Sequence, residues 1–158
     1  MKILNVMTQD LTPSQRSYFL IRNANHLQDT DPYKNVQVFV ENLGRICMRS
    51  NFAIMSAAEA WGEKNPCIAT NLSNAAKLMH YPLATRKLFY LWDLEWLRGN
   101  PKMAYHNYAI VYLSSELELV CRSKEHADIV ENTFNRKVNY IVDDFDLKKF
   151  FEITHESK

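Results

Sequence analysis

The sequence predicts a three-layer α/β domain with a mainly parallel sheet of about six strands and helices on both faces. Apolar runs of strand length recur along the chain, and segments with helical spacing of apolar residues separate them. This alternation is typical of βαβ units. The chain has 158 residues, which is the usual length of one domain. We therefore expect a single Rossmann-like domain over residues 1–158.

Six apolar runs account for the predicted strands. The clearest is Val-Gln-Val-Phe-Val at residues 36–40, because β-branched and aromatic residues are enriched in strands. The six predicted strands are residues 2–7, 36–40, 67–70, 88–92, 117–121 and 138–142.

Helices are predicted in most of the intervals between these strands. Residues 14–27 place apolar side chains on one side of a helix that follows Pro13, and residues 52–63 form a second predicted helix. Asn71 can cap a third helix that runs to about residue 80, where Pro82 stops it. Ser123 can cap a fourth at residues 124–134, and a short last helix begins near residue 146. For residues 93–115 helix and strand remain open.

The composition excludes several classes of protein. Hydrophobic residues make up 47% of the chain and charged residues 23%, a balance typical of packed domains. Lys and Arg total 19 against 18 Asp and Glu, so the chain lacks the overall basic charge of non-specific nucleic-acid binders. No apolar run approaches the length of a membrane span, so we expect no membrane partner. With three glycines the chain also lacks both common phosphate-binding loops.

The cysteines and histidines predict neither disulfides nor a metal site. The cysteines are three in number and widely spaced, so we expect reduced thiols and a cytoplasmic location. The five histidines share no helical face with carboxylates, so we expect no bound metal.

Candidate site residues follow the predicted strands, because open parallel sheets bind ligands beyond the carboxyl ends of their strands. Asp93 is the candidate catalytic base. The candidate substrate-binding residues, including an arginine able to hold a phosphate or carboxylate, are Thr8, Gln9, Asn42, Asn71, Glu95, Arg98 and Ser123.

Asp93 lies between two tryptophans in the sequence, Trp92 and Trp96. A carboxylate flanked by indole rings at the mouth of a sheet would be partly desolvated, which raises its pKa toward the range of a general base. The alternative is that both tryptophans pack in the core, Asp93 caps the next turn and Arg98 lies at the surface.

Several segments of the chain resemble the N-terminal half of a GT-B glycosyltransferase. In residues 120–150 a strand ends at Ser123 and leads into a helix, and the next strand runs into a turn with Asp146 and Phe150 downstream. Residues 36–42, the run Ala-Ile-Met-Ser-Ala at 53–57, and the aromatic run 88–93 resemble, in order, the strand, helix and Asp-ended strand of the phage DNA β-glucosyltransferase group.

The resemblance implies a glycosyltransferase function. Asp93 would be the catalytic base, and the chain would bind the acceptor, DNA or a glycan. A nucleotide sugar would be the donor, held by a separate C-terminal domain, with no tightly bound cofactor. A phage-encoded chain would work in the host cytoplasm.

The sequence is compatible with three hypotheses about the function. The chain is half of a split glycosyltransferase, or a binding module without catalysis, or an unrelated doubly wound domain with a nucleotide-binding or regulatory role.

Overall fold

One open sheet of seven strands organises the computed structural model, which describes residues 1–98 and 105–155. All neighbouring strands are parallel, and their order is β3-β2-β1-β4-β5-β6-β7. The strands are β1 (Lys2–Thr8), β2 (Lys34–Val40), β3 (Ala53–Ser56), β4 (Cys67–Ala69), β5 (Lys87–Leu91), β6 (Glu118–Cys121) and β7 (Tyr140–Ile141). The predicted α/β fold with a parallel sheet is confirmed.

Helices cover both faces of the sheet and complete three layers. They are α1 (Gln15–Thr30), α2 (Leu72–Leu78), α3 (Glu95–Arg98), α4 (Tyr105–Tyr112), α5 (Lys124–Phe134) and α6 (Leu147–His155), with a 3₁₀ helix at Ala57–Gly62. The buried apolar side chains form two clusters. One cluster joins α1 and α6 to the sheet, and the other joins the 3₁₀ helix, α2, α4 and α5 to it.

The inner strand β1 shows why the sheet has a core on each side. Successive side chains of a strand point to opposite faces. In β1, Leu4 and Val6 belong to the cluster under α1, whereas Met7 belongs to the cluster under α2, and all three are fully buried. A strand buried on both faces is the expected state in a parallel sheet with helices on both sides.

The helix predicted at residues 52–63 is wrong. Its first part is the edge strand β3, which pairs with β2 through partners such as Val38 and Ile54. Its second part is the 3₁₀ helix, capped by Ser56, whose hydroxyl accepts a hydrogen bond from the Ala58 N–H. The four alanines of this segment have a high intrinsic helix propensity, but pairing with the open edge of β2 decides the conformation of residues 53–56. The sheet therefore has seven strands where six were predicted.

A turn with unusual backbone geometry follows β7. Asp144 has φ 38° and Phe145 has φ 57°, in the left-handed region that bulky residues rarely adopt. The Asn23 side-chain amide donates hydrogen bonds to the carbonyl oxygens of both residues, at 2.7 and 2.9 Å. The Tyr90 hydroxyl accepts a hydrogen bond from the Phe145 N–H at 3.3 Å and donates one to the Val142 carbonyl oxygen at 2.7 Å. These contacts hold the strained backbone in place.

The Phe145 side chain explains what the turn achieves. It is fully buried, it stacks on Trp92 with ring centroids 5.3 Å apart, and it meets Tyr90 edge-on at 4.7 Å. The left-handed backbone thus directs a large aromatic ring into the core beneath the carboxyl end of β5.

The cysteines are all free thiols, as predicted. Cys67 and Cys121 lie in buried strands, and Cys47 is partly buried in the loop after β2. Burial raises the pKa of the Cys121 thiol to about 12 and that of Cys67 further still, so neither is a thiolate at neutral pH.

Candidate functional site

A polar cleft of about 520 Å³ opens at the carboxyl edge of the sheet. It lies where the strand order reverses, since β1 leads to β2 and β3 on one side and borders β4 on the other. Ligands of doubly wound sheets bind at this position. The lining residues are Gln9, Ser14, Gln15, Arg16, Thr70, Asn71, Trp92, Asp93, Glu95, Arg98, Arg122 and His126.

The turn between β1 and α1 forms one wall of the cleft. The Asp10 carboxylate accepts hydrogen bonds from the Thr12 N–H at 3.0 Å and the Thr12 hydroxyl at 2.5 Å, and these bonds lower its pKa. Ser14 caps α1 by accepting from the Ser17 N–H at 3.1 Å. The cap directs the first turn of α1, with Arg16, toward the cleft.

Arg16 is the least satisfied cation of the cleft. Its Nε is buried and makes no hydrogen bond to any residue that the structure describes. Its positive charge helps to lower the pKa of Asp10 and opposes the rise in the pKa of Glu95. An anionic group of a ligand would satisfy this guanidinium.

The end of β4 and the start of α2 form the floor. The Thr70 hydroxyl donates to the Met7 carbonyl oxygen at 2.9 Å, which joins β4 to β1 beside the cleft. Asn71 caps α2 as predicted, accepting from the Asn74 N–H at 2.8 Å. The Leu72 N–H donates a hydrogen bond to the Glu95 carboxylate at 2.8 Å, so α2 positions the Glu95 side chain.

The desolvated environment expected around Asp93 is found around Glu95. Asp93 is 40% exposed and forms an ion pair with Arg98 at 2.8 Å. Trp92 packs on the α1 side of the sheet and Trp96 on the opposite side, so the two rings do not enclose Asp93. Glu95 is more deeply placed, and burial raises its pKa. Both tryptophans pack against the core, as the alternative interpretation of this segment stated.

Arg122 forms the far wall together with the strained turn. Its guanidinium lies 3.9 Å from the centroid of the Trp92 ring and pairs with Asp144 at 3.1 Å. It also reaches the Gln15 side chain at 3.5 Å. The turn that holds Phe145 therefore also positions a cation at the cleft.

The structure brings together five of the eight candidate site residues: Gln9, Asn71, Asp93, Glu95 and Arg98. Thr8 is buried just below the cleft. Ser123 lies at its rim, where it caps α5 between Arg122 and His126. Asn42 is exposed in the loop after β2 and does not line the cleft.

Comparison with models of known protein families, with curated proteins and with solved structures found no match for this chain. We therefore base the proposed function on the geometry of the site.

Two further observations concern the described residues. No group of three or more His, Cys, Asp or Glu side chains within residues 1–98 and 105–155 is placed to hold a metal ion. In the same part of the chain, no helix has the length and apolar character needed to cross a membrane.

Seven lining residues of the cleft were not among the candidates, and three of them have basic side chains: Arg16, Arg122 and His126. Arg122 directly follows β6, so its position in the sequence was a usable signal. Arg16 and His126 lie in the first turns of α1 and α5, and only the packing of those helices shows that they reach the cleft.

We expect Glu95→Gln to stabilise the protein at neutral pH but not in acid. The folded pKa of Glu95 lies above its ordinary value of 4.5 because burial disfavours the charged form. Between these two values the folded state binds more protons than the unfolded state, so the stability of the wild type falls as pH rises. Gln cannot ionise and still accepts the Leu72 N–H.

Urea unfolding between about pH 4 and pH 8 measures this difference. Glu152→Gln, on the exposed face of α6, is the matched control and should show no such trend. A variant whose advantage is the same at every pH would contradict burial as the cause.

Proposed function

We propose that this chain is the acceptor-side domain of a GT-B-type glycosyltransferase and that its cleft binds the acceptor. The observation that carries the proposal is the pair of carboxylates, Asp93 and Glu95, which follow β5 into a cleft at the reversal of strand order. When a sugar is transferred to a hydroxyl group, a base can take the hydroxyl proton, and a carboxylate serves as such a base.

The reaction assigns roles to residues of the cleft. Asp93 takes the proton of the acceptor hydroxyl as the acceptor oxygen bonds to the anomeric carbon of the sugar and the nucleoside diphosphate leaves. Arg98, paired with Asp93 at 2.8 Å, orients its carboxylate. Arg16 and Arg122 bind an anionic or strongly polar part of the acceptor. Glu95, hydrogen-bonded to α2, shapes the floor.

The donor requires a second domain in this proposal. Catalysis of transfer needs donor and acceptor held together in a reactive geometry, and the cleft provides one wall of such an arrangement. A separate chain or domain with a nucleotide-sugar site would provide the other.

A nucleotide-binding role is the second candidate. It is favoured by the position of the cleft and by its three arginines, since doubly wound domains bind phosphates at this point of the sheet. The turn between β1 and α1 counts against it. That turn contains no glycine and carries the Asp10 carboxylate where a pyrophosphate would approach the helix.

Thermal unfolding with added ligands tests the two candidates. We expect an acceptor, DNA or a glycan, to raise the melting temperature of the chain, because a ligand that binds only the folded state stabilises it. UDP-glucose should have a smaller effect, and the chain alone should not transfer glucose efficiently. Arg16→Ala should reduce the acceptor shift, and Lys148→Ala, outside the cleft, should leave it unchanged.

Efficient transfer by the isolated chain would contradict the half-enzyme proposal. A larger shift with the nucleotide than with any acceptor would favour the second candidate.

A further inference from the structure

An apolar hollow surrounds Trp61 on the α2 side of the sheet, apart from the cleft. It measures about 520 Å³ and is lined by Ala57, Ala58, Trp61, Lys77, His80 and Tyr81, which we call the Trp61 patch. Trp61 is 54% exposed, whereas Trp92 is buried and Trp96 half-buried. An exposed indole ring beside a hollow offers a flat apolar face on which a ligand can stack.

The indole of Trp61 is held in place by the core. It meets the ring of Tyr81 nearly edge-on, with centroids 5.3 Å apart and an interplanar angle of 67°. Tyr81 is itself 5% exposed, so it supports the indole from the buried side. Ala57 and Ala58 have small side chains, so the hollow beside the ring stays open. A supported aromatic ring loses little conformational entropy when a ligand stacks on it.

Polar groups border this apolar surface. The Lys77 Nζ lies 2.5 Å from the Glu41 carboxylate, and His80 is exposed just beyond the end of α2. Together these side chains offer hydrogen-bond donors and an acceptor at the edge of the hollow. Glu41 neutralises the charge of Lys77, so the patch lacks the net positive charge that attracts phosphate groups.

We propose that the Trp61 patch is a carbohydrate-binding subsite in which a pyranose ring stacks on Trp61. A pyranose combines an apolar face of C–H groups, which matches the indole, with equatorial hydroxyls, which match Lys77 and Glu41. A pyranose is also uncharged, which agrees with a patch where Glu41 neutralises the charge of Lys77. The inference concerns a surface separate from the cleft and stands whether or not the cleft transfers sugar.

The patch and the cleft lie at the two ends of α2. Asn71 caps the helix at the cleft, and Lys77 and His80 lie at its other end. A helix of seven residues is about 10 Å long, roughly the span of two sugar units. Glu41 also connects the two surfaces, because its N–H donates to the Gln9 carbonyl oxygen at 3.1 Å and Gln9 lines the cleft. A glycan bound in the cleft would extend toward the patch.

Tryptophan fluorescence reports binding directly, because Trp61 is the most exposed of the three tryptophans. We would titrate the protein with maltohexaose, cellohexaose and N-acetylchitohexaose. At least one should shift the emission to shorter wavelength and protect the protein from acrylamide quenching. Calorimetry then compares the variants, since Trp61→Ala removes the fluorophore.

Trp61→Ala should weaken saccharide binding by about tenfold, which is about 1.4 kcal/mol, because it removes the stacking contact together with the apolar area that the ring buries. Trp61→Phe should keep most of the affinity. Tyr33→Ala removes another exposed aromatic ring, outside the patch, and should change nothing.

Three results would overturn the proposal. The first is no binding of any of the three saccharides at millimolar concentration. The second is equal affinity of the wild type and Trp61→Ala. The third is tight binding of oligothymidylate that depends on Trp61, which would make the patch a nucleic-acid surface.

Discussion

Asp93→Asn is expected to lower the rate of sugar transfer by about 10² to 10⁴, the usual cost of losing a general base. The substitution keeps the size of the side chain but removes its ability to take a proton. The measurement is single-turnover transfer from a radiolabelled nucleotide sugar to DNA or a glycan, with the chain combined with the donor-binding domain that the proposal requires.

Glu95→Gln is the matched comparison, because Glu95 is the second carboxylate of the same cleft. It should reduce transfer less than Asp93→Asn does, since its carboxylate already accepts the Leu72 N–H at 2.8 Å. The reverse order of effects would transfer the role of base to Glu95, whose raised pKa would suit it. Full activity of Asp93→Asn would remove Asp93 from the mechanism.

Phe145→Ala is expected to have the largest effect on stability, about 3 to 5 kcal/mol by urea unfolding. The variant removes a fully buried ring that contacts both Trp92 and Tyr90. It should also loosen the cleft, because Trp92 supports the Arg122 guanidinium at 3.9 Å. The ligand-induced rise in melting temperature should therefore shrink.

Phe145→Gly separates the backbone strain from the loss of the ring. Glycine normally destabilises a folded chain relative to alanine, but at φ 57° it avoids a cost of about 1 to 2 kcal/mol that alanine incurs. We therefore expect Phe145→Gly to be at least as stable as Phe145→Ala. A glycine variant clearly less stable than the alanine variant would show that the left-handed backbone carries little strain.

The sequence predicted six of the seven strands and missed the edge strand β3. Residues 36–40 consist mostly of β-branched and aromatic side chains, so their local preference agrees with their place in the sheet. Ala53–Ser56 has no such preference, and pairing with β2 determines its conformation. The other edge strand, Tyr140–Ile141, falls within the predicted run 138–142, and its two residues are those that pair with β6. Partners distant in sequence decide these segments.

The candidate site was predictable as far as its residues follow strands. Asn71 and Asp93 line the cleft because the carboxyl ends of β4 and β5 lie side by side. The degree of burial was not predictable. Neighbouring tryptophans suggested desolvation of Asp93, but β5 ends at Leu91 and the rings then diverge to opposite faces of the sheet. Two residues further on, α3 places Glu95 against α2.

The position of β1 between β2 and β4 has a consequence for synthesis on the ribosome. β1 is made before both of its partners, and β2 follows soon afterwards, but its other neighbour is β4, at Cys67–Ala69. Until β4 has been made, one edge of this apolar strand has no partner, and exposed strand edges recruit other chains. A nascent chain stalled before β4 should therefore bind chaperones more strongly than one stalled after β5.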